Sequence, residues 1–358
     1  MTYMYGIAIL FVVIIGLLYV PVPHGEGVRR TDVLSKPSTD AIKGAFMLGI
    51  MISHIATHVE LSPSGTEEKL VYYALSFLGT AGVGVFFFFS GYGCYGSIGR
   101  TTGRIEVLFW LGKRLWKTIY TFWICLFTVY AALSFAGHGI SGSELIRDAL
   151  TFTMPFTTTW YLKIQVLLYL IIAFSFLCAR KARVRIAICV ALSVAYVAIA
   201  ATGGLRDFWW NMTMTFPLGM TTAALKERTY HLLARLRKKP FIAVALGPVV
   251  ILLYMNLIAP QKAPVGKTAF AVLCCSALVV FMVLFLLLLR PRNGIWGNIG
   301  TRSFELYLTH ISLVSVIIDG SATFTKILLF FVSSFIMAYS LHAVIGAVTG
   351  LRERRKKT

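Results

Sequence analysis

Lys43-Gly44-Ala45-Phe46-Met47-Leu48-Gly49-Ile50-Met51-Ile52-Ser53-His54 is an apolar run with a cation at one end and a histidine eleven positions on. A helix turns about 100° per residue, so eleven steps return it to within about 20° of its starting face. Lys43 and His54 therefore share a face, with His54 about 16 Å further along the axis. In a hydrocarbon core about 30 Å thick, that depth is near the midplane. An ionisable side chain there must face protein or a water-filled cavity. Two readings are open: a histidine satisfied by a neighbouring helix, or a buried general base reached from the Lys43 end. His58 lies one turn further on the same face. Histidines four apart can chelate zinc, but no third ligand is evident nearby and the H-E-x-x-H pattern is absent, so no metal is expected.

Working outward, the chain continues in kind. Its 358 residues are 58% hydrophobic and 13% charged, with a mean hydropathy of +0.78. A soluble domain of this size does not need so much apolar surface, so the expected fold is an all-α, polytopic helical membrane bundle. The apolar runs are continuous rather than alternating, which argues against a closed barrel. Eleven candidate spans fall at about 3–21, 43–60, 70–92, 116–136, 158–178, 186–202, 208–225, 240–259, 268–289, 303–319 and 326–348. The first lacks a basic start and a small-residue cleavage pattern, and reads as an anchor helix rather than a cleaved leader.

The formal net charge of +20 invites a nucleic-acid reading, but the positions of the charges argue against one. Alternate loops and the C-terminal tail hold 27 of the 34 Lys and Arg residues, among them Arg29, Arg114, Arg183, Lys239, Arg292 and Arg355. Positive loops stay cytoplasmic, which puts the N-terminus outside and the C-terminus inside. The basic excess then serves topology and the anionic inner leaflet, with no nucleic acid required. The six cysteines lie in or beside apolar spans without zinc-ligand spacing and read as packing residues.

Further stretches carry candidate chemistry. Ser38-Thr39-Asp40 is placed to cap the second span. Phe86-Phe87-Phe88-Phe89-Ser90-Gly91-Tyr92-Gly93 is either a close helix contact or a helix end where Ser90 and backbone N–H groups face a ligand. Arg114 and Lys117, three apart at the start of the fourth span, are either solvated charge or holders of a phosphorylated ligand. Trp160 and Tyr161 open the fifth span, with Lys163 and Gln165 inside it. Gln165 should face the bundle interior, and Lys163 either does so too or snorkels outward. Pro217 and Pro248 are expected kinks, and the basic, Leu-dotted loop 226–239 an inner-leaflet segment. The tenth span, Arg302-Ser303-Phe304-Glu305-Leu306-Tyr307-Leu308-Thr309-His310, puts His310 about 12 Å in from Arg302. Glu305 lies about 140° around the helix from His310 and one turn from Arg302, and is either the structural counter-ion of that arginine or a residue of the site.

Taken in order, these stretches resemble acyltransferase family 3, the integral membrane acyltransferases that modify carbohydrates and other envelope components. The resemblance rests on a basic residue followed after ten residues by histidine (Lys43, His54), the Phe-rich run ending Ser90-Gly91, Trp160-Tyr161-Leu162, and Leu306-Tyr307-Leu308-Thr309-His310 after Gly300-Thr301-Arg302-Ser303. Two departures stand out. One span precedes the helix with the histidine, and the basic pair often seen as two arginines is Arg114 and Lys117.

The resemblance implies a ten-helix acyltransferase domain over residues 39–348, preceded by an extra N-terminal helix and basic connector (1–38) and followed by a basic cytoplasmic tail (349–358). It implies O-acyl transfer, acetyl or succinyl, from cytoplasmic acyl-coenzyme A to a hydroxyl of an envelope carbohydrate or related acceptor, in a bacterial cell membrane. Lys43, Arg114, Lys117 and Ser90 would bind the coenzyme or the oxyanion, His54 would be the base, His310 or Glu305 would orient it, and Trp160 and Tyr161 would stack on the sugar. The rival reading is a proton-coupled transporter or flippase of a lipid-linked sugar or small solute, which suits a midplane histidine and Lys163 but not the lack of a repeat between halves.

Overall fold

The computed structural model describes residues 34–58, 66–139, 141–156, 159–237, parts of 268–283, 294–318 and 323–354. The first and eighth expected spans (3–21 and 240–259), Pro248 and part of the 268–289 stretch lie outside those residues. What is described is built from helices: α1 Lys36–His58, α2 Thr66–Ile98, α3 Arg104–Phe135, α4 Gly142–Thr151, α5 Trp160–Cys178, α6 Ala182–Thr202, α7 Thr215–Ala224, α8 Lys226–Arg237, α9 Gly294–Thr301, α10 Ser303–Ile317 and α11 Phe324–Arg354. Among the described residues, five helical stretches are long and apolar enough to cross a membrane: Leu78–Ile98, Arg104–Phe135, Trp160–Cys178, Ala182–Thr202 and Phe324–Val348. The chain is thus an all-helical membrane bundle.

Position in the bundle follows from which faces are apolar. On α6 and α11, Val194, Ile199, Leu329 and Ile336 are exposed, so these helices form a periphery suited to lipid. α1 is the opposite case. Sixteen of its 23 residues are buried, and its two serines, two threonines, two histidines and three charged residues keep it out of the apolar spans. It is the protein-enclosed axis of the bundle, packed most extensively on α9 and α2, while α2 packs on α7.

Several boundaries differ from expectation. α3 starts at Arg104, so Arg114 and Lys117 lie in its third and fourth turns rather than at its start. The helix extends because Ile105, Leu108 and Phe109 supply an exposed apolar face well before residue 116. The 208–225 span is broken into a 3₁₀ turn (Asp207–Trp209), further turns, and the ten-residue α7. Pro217 sits in the first turn of α7, where its missing N–H leaves no helical bond unmade, so it starts a helix instead of kinking one. Likewise α1 begins at Lys36, placing Ser38-Thr39-Asp40 inside its first turns, where Thr39 Oγ1 donates to the Lys36 carbonyl. The basic 226–237 stretch forms α8. The six cysteines are free, and all but Cys178 are buried.

Candidate active site

Two glycines set the register of the centre. A Cβ built on Gly44 would lie 2.1 Å from the Trp296 carbonyl oxygen, and one on Gly300 only 1.7 Å from that of Asp40. No side chain fits, so the backbones of α1 and α9 touch there. Each of these glycines is followed ten residues on by a histidine, His54 on α1 and His310 on α10. Ten residues of helix rise about 15 Å on either side. The two rings therefore meet, with centroids 5.1 Å apart and planes tilted by 56°.

The histidines differ in how their nitrogens are used. His310 is buried, and its Nδ1 lies 2.9 Å from the Leu306 carbonyl oxygen. A carbonyl can only accept, so Nδ1 carries the proton and Nε2 is left with a lone pair. That Nε2 is buried and has no hydrogen-bond partner among the described residues. His58 donates from Nδ1 to the His54 carbonyl (3.0 Å), and its Nε2 is 3.0 Å from Ser315 Oγ. His58, the second member of the zinc-spaced pair, is thus tied to backbone and serine. Half-buried His54 is the exception: neither ring nitrogen is hydrogen-bonded to another described residue. The centre presents one unclaimed imidazole beside a second whose lone pair is free.

Glu305 takes a different partner from the one expected. Its Oε1 lies 2.8 Å from Nδ1 of His342 on α11, while Arg302 turns to Asn298 (Nη1 to Oδ1, 2.8 Å) and stacks over Tyr339 at 4.2 Å. Arg302 is the residue between α9 and α10, and its guanidinium bonds back to Asn298 on α9 and stacks on Tyr339 of α11. The 140° offset stands, and Glu305 belongs to the α10–α11 contact. Removing its partner would leave a buried carboxylate oxygen unpaired. His342→Ala should therefore lower stability by about 1–3 kcal/mol, measured by thermal unfolding in detergent, with Glu305→Gln relieving part of the loss.

Ser90 is held in place but is not at a helix end. α2 continues to Ile98, so the backbone N–H groups of Ser90 and its neighbours are used inside the helix and cannot form an oxyanion cradle. The Ser90 hydroxyl accepts from Gln165 Nε2 (2.9 Å), and Tyr161 OH donates to Gln165 Oε1 (3.3 Å). The glycine beside it serves a second close crossing, with Gly91 against the Phe216 carbonyl and Gly219 against that of Phe88. Tyr161 is buried, stacked on Phe87 (4.9 Å) and tilted against Tyr307 (4.8 Å), so it offers no open face to a sugar. Half-buried Trp160 packs on Phe208. Lys163 is also half-buried, beside fully buried Gln165.

The expected coenzyme ligands are separated by their partners. Lys43 is ion-paired to buried Asp40 (2.6 Å). Arg114 donates to Ser97 Oγ (3.3 Å) and lies over the Trp110 ring, whose Nε1 bonds the same hydroxyl (2.9 Å). This gives a guanidinium fixed in direction, with exposed Lys117 one turn on. Arg114 and Lys117 fit a phosphorylated ligand; Lys43 would have to share its charge with Asp40.

Three contributors went unread in the sequence. His342 and Ser315 are a histidine and a serine in apolar spans, polar residues that needed partners. Helix α4 is announced by Ser141-Gly142-Ser143-Glu144, a capping box whose two reciprocal bonds are both made.

A helical membrane bundle with a histidine pair between α1 and α10 and a fixed guanidinium on α3 is the class defined by this geometry. A family model described as an acyltransferase domain matches residues 36–346, and the chain belongs to acyltransferase family 3. No curated protein and no solved structure matches it.

Proposed function

We propose that the protein is a membrane-bound O-acyltransferase that moves an acyl group, acetyl or succinyl, from cytoplasmic acyl-coenzyme A to a hydroxyl of an envelope carbohydrate or related acceptor. The observation that carries the reading is the unclaimed His54 imidazole packed against His310, whose Nε2 lone pair is also free. Arg114 and Lys117 hold the anionic coenzyme at the cytoplasmic mouth, and the thioester reaches inward to the pair. His54 removes the acceptor hydroxyl proton as its oxygen attacks the thioester carbonyl carbon. The C–O bond forms, the C–S bond breaks, and the proton carried by His54 passes to the departing thiolate, giving ester and free coenzyme A. His310 Nε2 accepts a hydrogen bond from the acceptor hydroxyl or from His54, and so positions the transfer. The charge asymmetry puts this donor end inside and the N-terminus outside.

The test is coenzyme A release by purified protein supplied with acetyl- or succinyl-coenzyme A and an envelope-glycan extract. Acceptor-stimulated release is expected with one of the two donors. No release with either, from folded protein, would overturn the reading.

A further inference from the structure

Acyl transfer places negative charge on the thioester oxygen as the acceptor attacks, and that charge needs a hydrogen-bond donor. The backbone N–H groups around Ser90 are spent inside α2, so the donor belongs to another element.

The accessible side chains of the two histidine helices narrow the choice. From Thr39 to Ala56, every residue of α1 is buried except Lys43 and His54. From Ser303 to His310, every residue of α10 is buried except Phe304 and Tyr307. Tyr307 is one turn before His310 and about 60° from it around the helix. Its ring lies 5.9 Å from that of His310, centroid to centroid. The charge distribution starts α10 on the inside, so Tyr307 stands on the side of the histidine pair from which the coenzyme comes.

The Tyr307 hydroxyl is prepared to donate. Helix α5 begins against it, with the Tyr161 and Tyr307 rings 4.8 Å apart. Tyr161 is the second residue of α5, and Thr159 at the N-cap makes no side-chain bond to that turn. A backbone N–H there has no helical carbonyl to reach. The Tyr161 N–H instead bonds the Tyr307 hydroxyl oxygen. A hydroxyl that accepts on its oxygen still has its proton to give, and that proton has no acceptor among the described residues. The bond from α5, whose positive end lies behind it, strengthens the hydroxyl as a donor. Neutral His310, by contrast, presents a lone pair at Nε2, which repels an oxyanion.

We propose that Tyr307 is the oxyanion donor of the transfer. Its hydroxyl hydrogen-bonds the thioester carbonyl oxygen as the tetrahedral centre forms, and the bond weakens when the C–S bond breaks and the carbonyl returns. The proton stays on Tyr307 throughout, while His54 carries the acceptor proton to the thiolate. This role rests on the acyl-transfer reading.

Tyr307→Phe keeps the ring between Tyr161 and His310 and removes only the hydroxyl. The full chain in nanodiscs is supplied with acetyl- or succinyl-coenzyme A and envelope-glycan extract, and coenzyme A release is followed. The variant should show kcat lower by about 10²–10³-fold with KM for the donor little changed. S-ethyl-coenzyme A, which has no carbonyl oxygen, should bind wild type and variant equally by calorimetry. An unchanged kcat, or a loss carried by KM alone, would overturn the assignment and leave the transferase standing. Loss of S-ethyl-coenzyme A binding in the variant would also overturn it, because the hydroxyl would then serve only to hold the site together. No release from folded wild type would overturn both readings.

Discussion

Alanine in place of His54 is expected to lower acyl transfer by about 10²–10⁴-fold, the usual contribution of a positioned general base. The melting temperature should barely move, because neither ring nitrogen bonds another described residue. His310→Ala is the informative contrast. Its ring is buried and bonded to the Leu306 carbonyl, so this change should cost about 1–3 kcal/mol of stability as well as rate. A purely structural histidine pair would show the reverse pattern, with stability lost at both positions and rate lost only in proportion. Steady-state rates and thermal unfolding on the same preparations separate the two.

Gly300→Ala is the second large effect. The added methyl would meet the Asp40 carbonyl oxygen at 1.7 Å, and backbone cannot step aside as a flexible side chain can. Overpacking of this kind costs about 1–3 kcal/mol. The consequence for catalysis is larger, since α9 and α1 must part at the contact that sets the register of His54 and His310. A misplacement of about 1 Å is worth about 10²-fold in rate. Gly44→Ala, with 2.1 Å to the Trp296 oxygen, should behave alike, whereas Gly346→Ala on α11, with open space around it, should have no effect. Initial rates and melting temperatures of the three variants check this.

The helical membrane class was legible because hydropathy and span length depend on local sequence alone. The histidines were legible for a related reason: an ionisable group in an apolar run requires an explanation wherever it lies. That Gly44 and Gly300 are each followed ten residues later by a histidine is written in the chain, but its meaning needs the contact between helices far apart in sequence. Partner choice was equally non-local. Arg302 is one turn from Glu305, and the i, i+3 rule makes them a pair, yet the arginine bonds Asn298 and α11 supplies His342. Ser90 misled in the other direction. Gly91 and Gly93 resemble a helix end, yet α2 runs through them, and Gly91 is used for close packing against α7.

The central claim is that acyl transfer occurs at the His54–His310 pair. The most direct measurement supplies ¹³C-acetyl- or ¹³C-succinyl-coenzyme A to proteoliposomes of the wild type and of His54→Ala, with envelope glycan as acceptor. Mass spectrometry then counts label in the glycan. Label should appear as an ester in the wild-type reaction and fall by about 10²-fold or more in the variant. Equal labelling by both proteins would remove His54 from the chemistry, and glycan left unlabelled by the folded wild type with either donor would contradict the account.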